Sequence, residues 1–289
     1  DIKRRQRSIK NMQQITKAME MVSAAKLRRA ESAAIAARPF ARKMQEVLGR
    51  LAGSGAAAMN PTERNPDLAL LHARPVTRRC ICVVTSDRGL TGGFNANAIR
   101  KGIAVARESK AEVVISAVGR KGRDAFRRRG YSIASEFIGV GDVVHIGSAR
   151  AVAATLMNGF KAGEYDEVIL VYAVYKSAMS HEFVATKLLP VDPPESEASG
   201  TQALYEYEPS PEEVLGILIP RYVEALVFRA MLDSKASEHG ARMTAMRSAS
   251  DNAGEMLDAL QLSFNRARQA SITKEISEIV GGANALSGA

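Results

Sequence analysis

The feature that most constrains this chain is a repeat near its end. Met243, Met246, Ser250, Ala253, Leu257, Leu260, Phe264, Ala267 and Ser271 are spaced three and four residues apart in strict alternation. Apolar or small residues about every 3.5 positions mark a helix that lies along another helix. Proline occurs at Pro211 and Pro220 and nowhere after them, so nothing beyond Pro220 interrupts the repeat. Ser210 before Pro211-Glu212-Glu213 is a helix start, with a capping hydroxyl, a proline in the first turn and acids on the positive end of the helix dipole. Gly281-Gly282 is the expected close.

The other end reads the same way. From Ile2 to Gly53 the chain holds one proline, Pro39, and many strong helix formers. Met12, Ile15, Met19 and Val22 form a stripe expected to be buried. Pro39 is expected to kink or loosen the helix. Gly53-Ser54-Gly55 ends it, and a polar linker containing prolines follows over 59–75. At ~1.5 Å per residue, 1–52 spans roughly 80 Å and 211–280 roughly 105 Å. A compact domain of about 130 residues is only some 30–40 Å across. Both helices are therefore expected to project beyond any globular part and to pair as an antiparallel coiled coil. Ser250, Ala253, Ala267 and Ser271 make that seam small. Little apolar surface is buried by such a pair, so a partner is expected to support it.

Between the helices the period changes. Cys80–Thr85, Val113–Val118 and Val168–Val174 are short runs rich in β-branched residues, as in buried strands. Helical stretches over 93–108, 120–129 and 147–162 alternate with them, which predicts a mainly parallel α/β sheet of Rossmann type. The run 182–189 is a candidate edge strand. The expected division is an N-terminal helix over 1–58, a linker over 59–75, a central α/β domain over 76–210 and a C-terminal helix over 211–289.

Composition narrows the partners. Of 289 residues, 46% are hydrophobic and 25% charged, so a core can form. No stretch reaches the roughly 20 apolar residues that cross a bilayer, and a soluble chain is expected. The start, Asp1-Ile2-Lys3-Arg4-Arg5, leads into no apolar signal segment. Net charge is +9, and its location matters more than its size. Residues 1–50 hold 13 Lys or Arg and 4 Asp or Glu, while the rest of the chain holds 27 of each sign. A basic end of this kind suits nucleic acid, an anionic membrane or an acidic protein. Only one aromatic, Phe40, lies among those residues, which favours a solvated coiled-coil face over a nucleic-acid grip. A basic coiled-coil nucleic-acid binder stays open as the alternative.

Motifs for chemistry are sparse. Ser86-Asp87-Arg88-Gly89-Leu90-Thr91-Gly92-Gly93-Phe94-Asn95 links the first strand to a helix, where nucleotide folds hold phosphate. Its spacing matches neither the dinucleotide nor the P-loop pattern, and a tight turn packing loop to helix is expected. His72, His145, His181 and His239 are scattered without metal-ligand spacing. Cys80 and Cys82 share a strand face with no second ligand pair nearby, so they read as small apolar residues. No catalytic, cofactor-binding or metal-binding residue is assigned.

Three segments carry a resemblance. Gln14–Leu27 (QITKAMEMVSAAKL), Ser86–Asn95 (SDRGLTGGFN) and Arg266–Ile276 (RARQASITKEI) are similar, in order and in register, to the γ subunit of F-type ATP synthases, in the bacterial form. The likeness runs nearly end to end, and only the stretch 54–75 looks unfamiliar. It implies a rotary shaft without a catalytic site. The paired helices would turn inside an α3β3 hexamer, the α/β domain would stand on the c-ring beside ε, and Mg-ATP and ADP would bind to α and β. The chain would lie on the cytoplasmic face of the cell membrane as a peripheral subunit.

The resemblance also implies contact residues. Arg268 and Gln269 would hydrogen-bond a β loop, with Met19 facing them in the shaft. Arg242 and the stretch 273–280, including Thr273 and Glu278, would act with Met19 against the hexamer. Tyr205, Tyr207 and Glu208 would touch the c-ring loop and ε.

Overall fold

A computed structural model describes residues 2–53, 61, 65–192, 208 and 210–287. Helix α1 spans Ile2–Gly53 and helix α5 spans Pro211–Ser287, each unbroken through its internal proline. Pro39 and Pro220 thus end neither helix, and Gly281-Gly282 lies inside α5 rather than at its close. Contacts divide the chain into two compact units, Ser23–Arg242 and a second formed by 1–22 with 243–289.

The larger unit is built on a five-stranded sheet. Strands β1 (Arg78–Val84), β2 (Glu112–Val118), β3 (Ser132–Phe137), β4 (Glu167–Ser177) and β5 (Ser180–Leu189) take the order β3-β2-β1-β4-β5. The first four are parallel, and β5 returns antiparallel along β4. Helices α2 (Phe94–Glu108), α3 (Arg120–Arg127) and α4 (Ile146–Lys161) supply the crossovers. Strand β3 went unread in the sequence because its exposed and half-buried residues alternate without a β-branched run.

Alternation across the pleat gives the sheet two different faces. Ile81, Val83, Ile115 and Ala117 pack under Ala106 and Phe126 of α2 and α3. Cys80, Cys82, Val84 and Leu170 face the other way, against α4 and the sheet-borne parts of α1 and α5. Both cysteines are fully buried among apolar side chains. Burial raises both thiols, Cys82 to about 12. Deprotonation inside the core is thus unfavourable, as expected of thiols used as small apolar residues.

The region read as a polar linker is partly core. Residues Pro66–Leu71 form a 3-10 helix whose Leu68 and Leu70 are buried. Arg74 then stacks over the Phe160 ring at 4.5 Å and donates to the Phe160 and Tyr165 carbonyls at 2.7 and 2.5 Å. Its Nε also donates to Asp166 at 2.7 Å. The Asp166 carboxylate accepts from the Thr77 hydroxyl at 2.7 Å and from the Thr77 and Arg78 amides at 2.8 and 3.0 Å. That ring of donors, the Thr77 hydroxyl first, holds the carboxyl far below the usual range. The network fastens the entry of β1 to the entry of β4.

Because Asp166 is more acidic folded than unfolded, its contribution is complete above about pH 4 and fades as pH falls further. Asp166→Ala is expected to cost about 2–3 kcal/mol at neutral pH and to lose most of that penalty at the acid limit. Urea unfolding followed at both pH values checks this; an equal penalty at each would contradict the linkage. Native Cys80 and Cys82 are expected to resist alkylation at pH 8 and to react once the chain is unfolded.

Candidate functional site

In the smaller unit α1 and α5 run antiparallel in a constant register. Lys3 Nζ lies 5.4 Å from the centroid of Phe264, Gln6 Nε2 donates to Gln261 Oε1 at 3.0 Å, and Glu20 Oε1 accepts from Arg247 Nε at 3.0 Å. Gly254 lies against Gln13 in the same alignment. On α5 the repeat read from the sequence is the packed face: Met246, Ser250 and Ala253 are buried, and Met243, Leu257, Leu260 and Phe264 are half-buried. Ala267 and Ser271 are exposed. The register explains why, since Ile2 is already level with about residue 265.

On α1 the expected stripe is on the wrong side. Met12, Ile15 and Val22 are 56%, 61% and 52% exposed, and Met19 is half-buried. The face turned to α5 carries Gln6, Ile9, Gln13, Thr16 and Glu20 instead, also at steps of three and four. A hydrophobicity pattern selects the apolar face of a helix, not the face its neighbour covers. Here the two differ.

The inner face is organised by a carboxylate. Glu20 is buried and bonded to Lys17 at 3.1 Å and to Arg247 at 3.0 Å. The Arg247 bond, then that of Lys17, holds its pKa below the ordinary value. A buried charge on a helix seam fixes register, because sliding either helix would strip it of Arg247, its partner on the opposite helix.

The residues assigned by resemblance fall in separate places. Met19 is level with about residue 248, whereas Arg268 and Gln269 lie some 20 residues farther along α5, roughly 30 Å away. The expectation that Met19 faces them is therefore corrected by the register. Arg268, Gln269, Thr273 and Glu278 are all exposed. Glu278 is 3.7 Å from Lys274, and exposed Ile272, Ile276 and Ile279 share a stripe with Gln269.

Arg242 belongs to the larger unit and is engaged internally. Its Nη2 donates to Glu238 at 2.7 Å, and Glu238 also takes Lys235 at 2.8 Å. Burial alone would raise the Glu238 carboxyl, but the two cations more than offset it and its pKa falls. Glu208 is exposed at a bend, while Tyr205 and Tyr207 lie outside the described residues.

The glycine-rich loop is tied to itself and to the start of α3. Asn95 Oδ1 accepts from the Ser86 amide at 3.0 Å, and Asn95 Nδ2 donates to Thr91 at 3.0 Å. Asp87 accepts from the Arg120 amide at the start of α3 and from the Gly139 amide, both at 3.0 Å. Its carboxylate thus sits where a phosphate would meet a helix N-terminus. Gly119 is obligatory beside it: φ is +96°, and a Cβ there would lie 2.3 Å from the Thr85 carbonyl oxygen. Met231, Ser234, Lys235 and Glu238 of α5 line a narrow crevice of about 10 Å³ at these strand ends. A wider polar cleft of about 430 Å³ opens beside it between Asp87, Arg88, Arg120, Asp142, Lys235 and Glu238. No cluster of potential metal ligands and no helix apolar enough to cross a membrane occurs among the described residues.

Known proteins agree on what this arrangement is. The ATP synthase family model matches residues 1–286. The ATP synthase gamma chain of Pelotomaculum thermopropionicum is 48% identical over 286 residues, covering 99% of this chain and 98% of its own. That of Heliobacterium modesticaldum is 50% identical over 295 residues, with the same coverage. This chain belongs to the ATP synthase gamma-chain family.

Among solved structures, a central stalk and c-ring of Tetrahymena thermophila mitochondrial ATP synthase matches with a TM-score of 0.61 and 25% identity, over 82% of this chain and 99% of that one. A chain of the Euglena gracilis mitochondrial enzyme shares the fold with a TM-score of 0.68 at 19% identity, over 99% of this chain and 93% of that one. Membership in the gamma-chain family displaces the nucleic-acid alternative.

Glu20→Gln is expected to weaken the helix pair at neutral pH and to flatten its acid response. A carboxylate with a depressed pKa stabilises above its unfolded value and loses that contribution as pH falls through the folded one. Circular dichroism of the full chain from pH 7 to pH 3 reads this; identical titrations of the two proteins would rule it out.

Proposed function

We propose that this chain is the central rotor shaft of a bacterial, proton-translocating F-type ATP synthase. It couples rotation of a c-ring to the cycling of catalytic β subunits in an α3β3 hexamer, with ε beside it. Mg-ATP and ADP are held by α and β, and this chain works at the cytoplasmic face of the membrane as a peripheral, non-catalytic subunit. Residues 1–58 and 211–289 serve as the shaft, 76–210 as the foot, and 59–75 as the link between them.

One observation carries the reading above the rest. In a chain of the gamma family, α5 continues past the start of α1 with Arg268, Gln269, Ile272, Ile276 and Ile279 exposed along it. An exposed apolar stripe with interspersed polar groups is a surface for a partner. Met12, Ile15 and Val22 on α1 extend the argument, and Met19, Thr273 and Glu278 complete the hexamer-facing set. Arg242 acts from its bond with Glu238. Tyr205, Tyr207 and Glu208 face the c-ring and ε. Each shaft angle presents a different surface to each β subunit, and that differential contact shifts the β conformations.

The test is the assembled enzyme. Arg268→Ala with Gln269→Ala is expected to lower ATP synthesis about tenfold, the scale of one charged hydrogen bond, without unfolding the sheet unit. Unchanged synthesis and unchanged ATP-driven rotation would overturn the contact assignment. The full chain alone is expected to show no ATPase activity.

A further inference from the structure

A rotor must pass torque between its sheet-bearing foot and its helices, and within the larger unit the attachment is concentrated on one ribbon. Strand β4 pairs with β1 only as far as Val171. Beyond that it continues with β5 as a two-stranded ribbon to the turn at Ala178-Met179. The ribbon edge that β1 leaves free is taken up by the helices. The Ala173 amide donates to Ser234 Oγ of α5 at 3.0 Å, and both residues are buried. The Tyr175 carbonyl accepts from Arg38 of α1 at 3.5 Å. Glu31, also on α1, reaches the Tyr175 side chain.

At the tip of the ribbon the contact becomes backbone on backbone. A Cβ built on Gly240 would lie 2.6 Å from the Ala178 carbonyl oxygen and 3.4 Å from its carbon. Any side chain at 240 would force the turn away from the helix, since neither backbone can yield as a side chain does. A glycine in the middle of a long helix costs helix stability, and this one supplies no positive φ and no cap. Close approach is its use.

We propose that the β4–β5 ribbon, seated on Ser234 and on the bare backbone at Gly240, is the torsional lock between foot and shaft. It resists twist of α5 against the sheet because the two seats lie six residues apart on the helix. Arg38 and Glu31 bring α1 into the same grip. Packed backbones transmit strain with little give, whereas exposed side-chain ion pairs such as Lys26–Asp142 at 2.7 Å are compliant. Gly240 and Ser234 are thus positioning residues for mechanical coupling. The inference rests on the rotor reading and adds where torque crosses.

The experiment uses the assembled α3β3γ complex, immobilised by its hexamer, with a bead on the sheet domain. Angular fluctuation of the bead in a nucleotide-arrested state measures torsional stiffness. Gly240→Val is expected to widen the angular variance at least about twofold while ATP hydrolysis stays within about twofold of the parent, because backbone packing carries the stiffness. Ser234→Ala, which leaves the Ala173 amide without its partner, is expected to widen it in the same direction by less. Met179→Ser, at the exposed far side of the turn, is expected to leave it unchanged.

Assembly of Gly240→Val or of Ser234→Ala with parental variance would overturn the lock. If Gly240→Val fails to assemble, Ser234→Ala decides alone. A bead that never rotates on the parent complex would instead overturn the rotor reading, so the two failures are distinguishable.

Discussion

A carboxylate buried between two helices sets much of what this chain can do. Glu20 leaves water only because Lys17 and Arg247 meet it, one from its own helix and one from the opposite helix. That pairing specifies the register that also places Lys3 by Phe264 and Gln6 by Gln261. The register in turn determines where α1 stops accompanying α5, and so which residues of α5 are left uncovered. On the α1 side the seam is mostly Gln, Thr and Glu, which limits what the Met, Leu and Phe of α5 gain from burial against it, so the pair holds alignment better than it holds stability. It leaves the Met12, Ile15 and Val22 stripe of α1 exposed.

The sheet unit shows a fold whose usual ligand-binding end is bonded in part to the chain itself. In open parallel sheets, ligands gather at the carboxyl ends of the strands. Here Asp87 occupies the amide of Arg120, and α5 lays Met231, Ser234, Lys235 and Glu238 across the same ends. The helix N-terminus that could meet a phosphate instead meets the chain's own carboxylate. The glycine-rich loop keeps the positions such a loop needs for tight turning, and Ser86, Thr91 and Asn95 bond to one another across it.

Parts of this were legible in the sequence for definite reasons. Buried strands β1, β2 and β4 announced themselves because a strand covered on both faces is continuously β-branched. Ser210 at the start of α5 was legible because capping is local: its Oγ accepts from the Glu213 amide at 3.3 Å. The apolar repeat of α5 was legible because its covered face is also its apolar face. For α1 the two faces differ, and the stripe through Met12, Ile15 and Val22 misled. Leu68, Leu70 and Arg74 were hidden in a segment whose proline content suggested a linker, since their partners lie some 90 residues away in α4 and at the start of β4.

The amino-acid sequence alone determined the two long helices, the parallel α/β core between them and the family to which the chain belongs. Periodicity, capping and motif order are local properties, and locality is what a linear reading can see. The tertiary structure alone decided which side of α1 is covered, that Met19 and Arg268 stand far apart along the shaft, that Asp87 fills a phosphate position, and that Gly240 meets the backbone of Ala178. Each of these depends on what approaches from a distant part of the chain. A residue's own chemistry states what it can bind, and only the fold states what comes within reach.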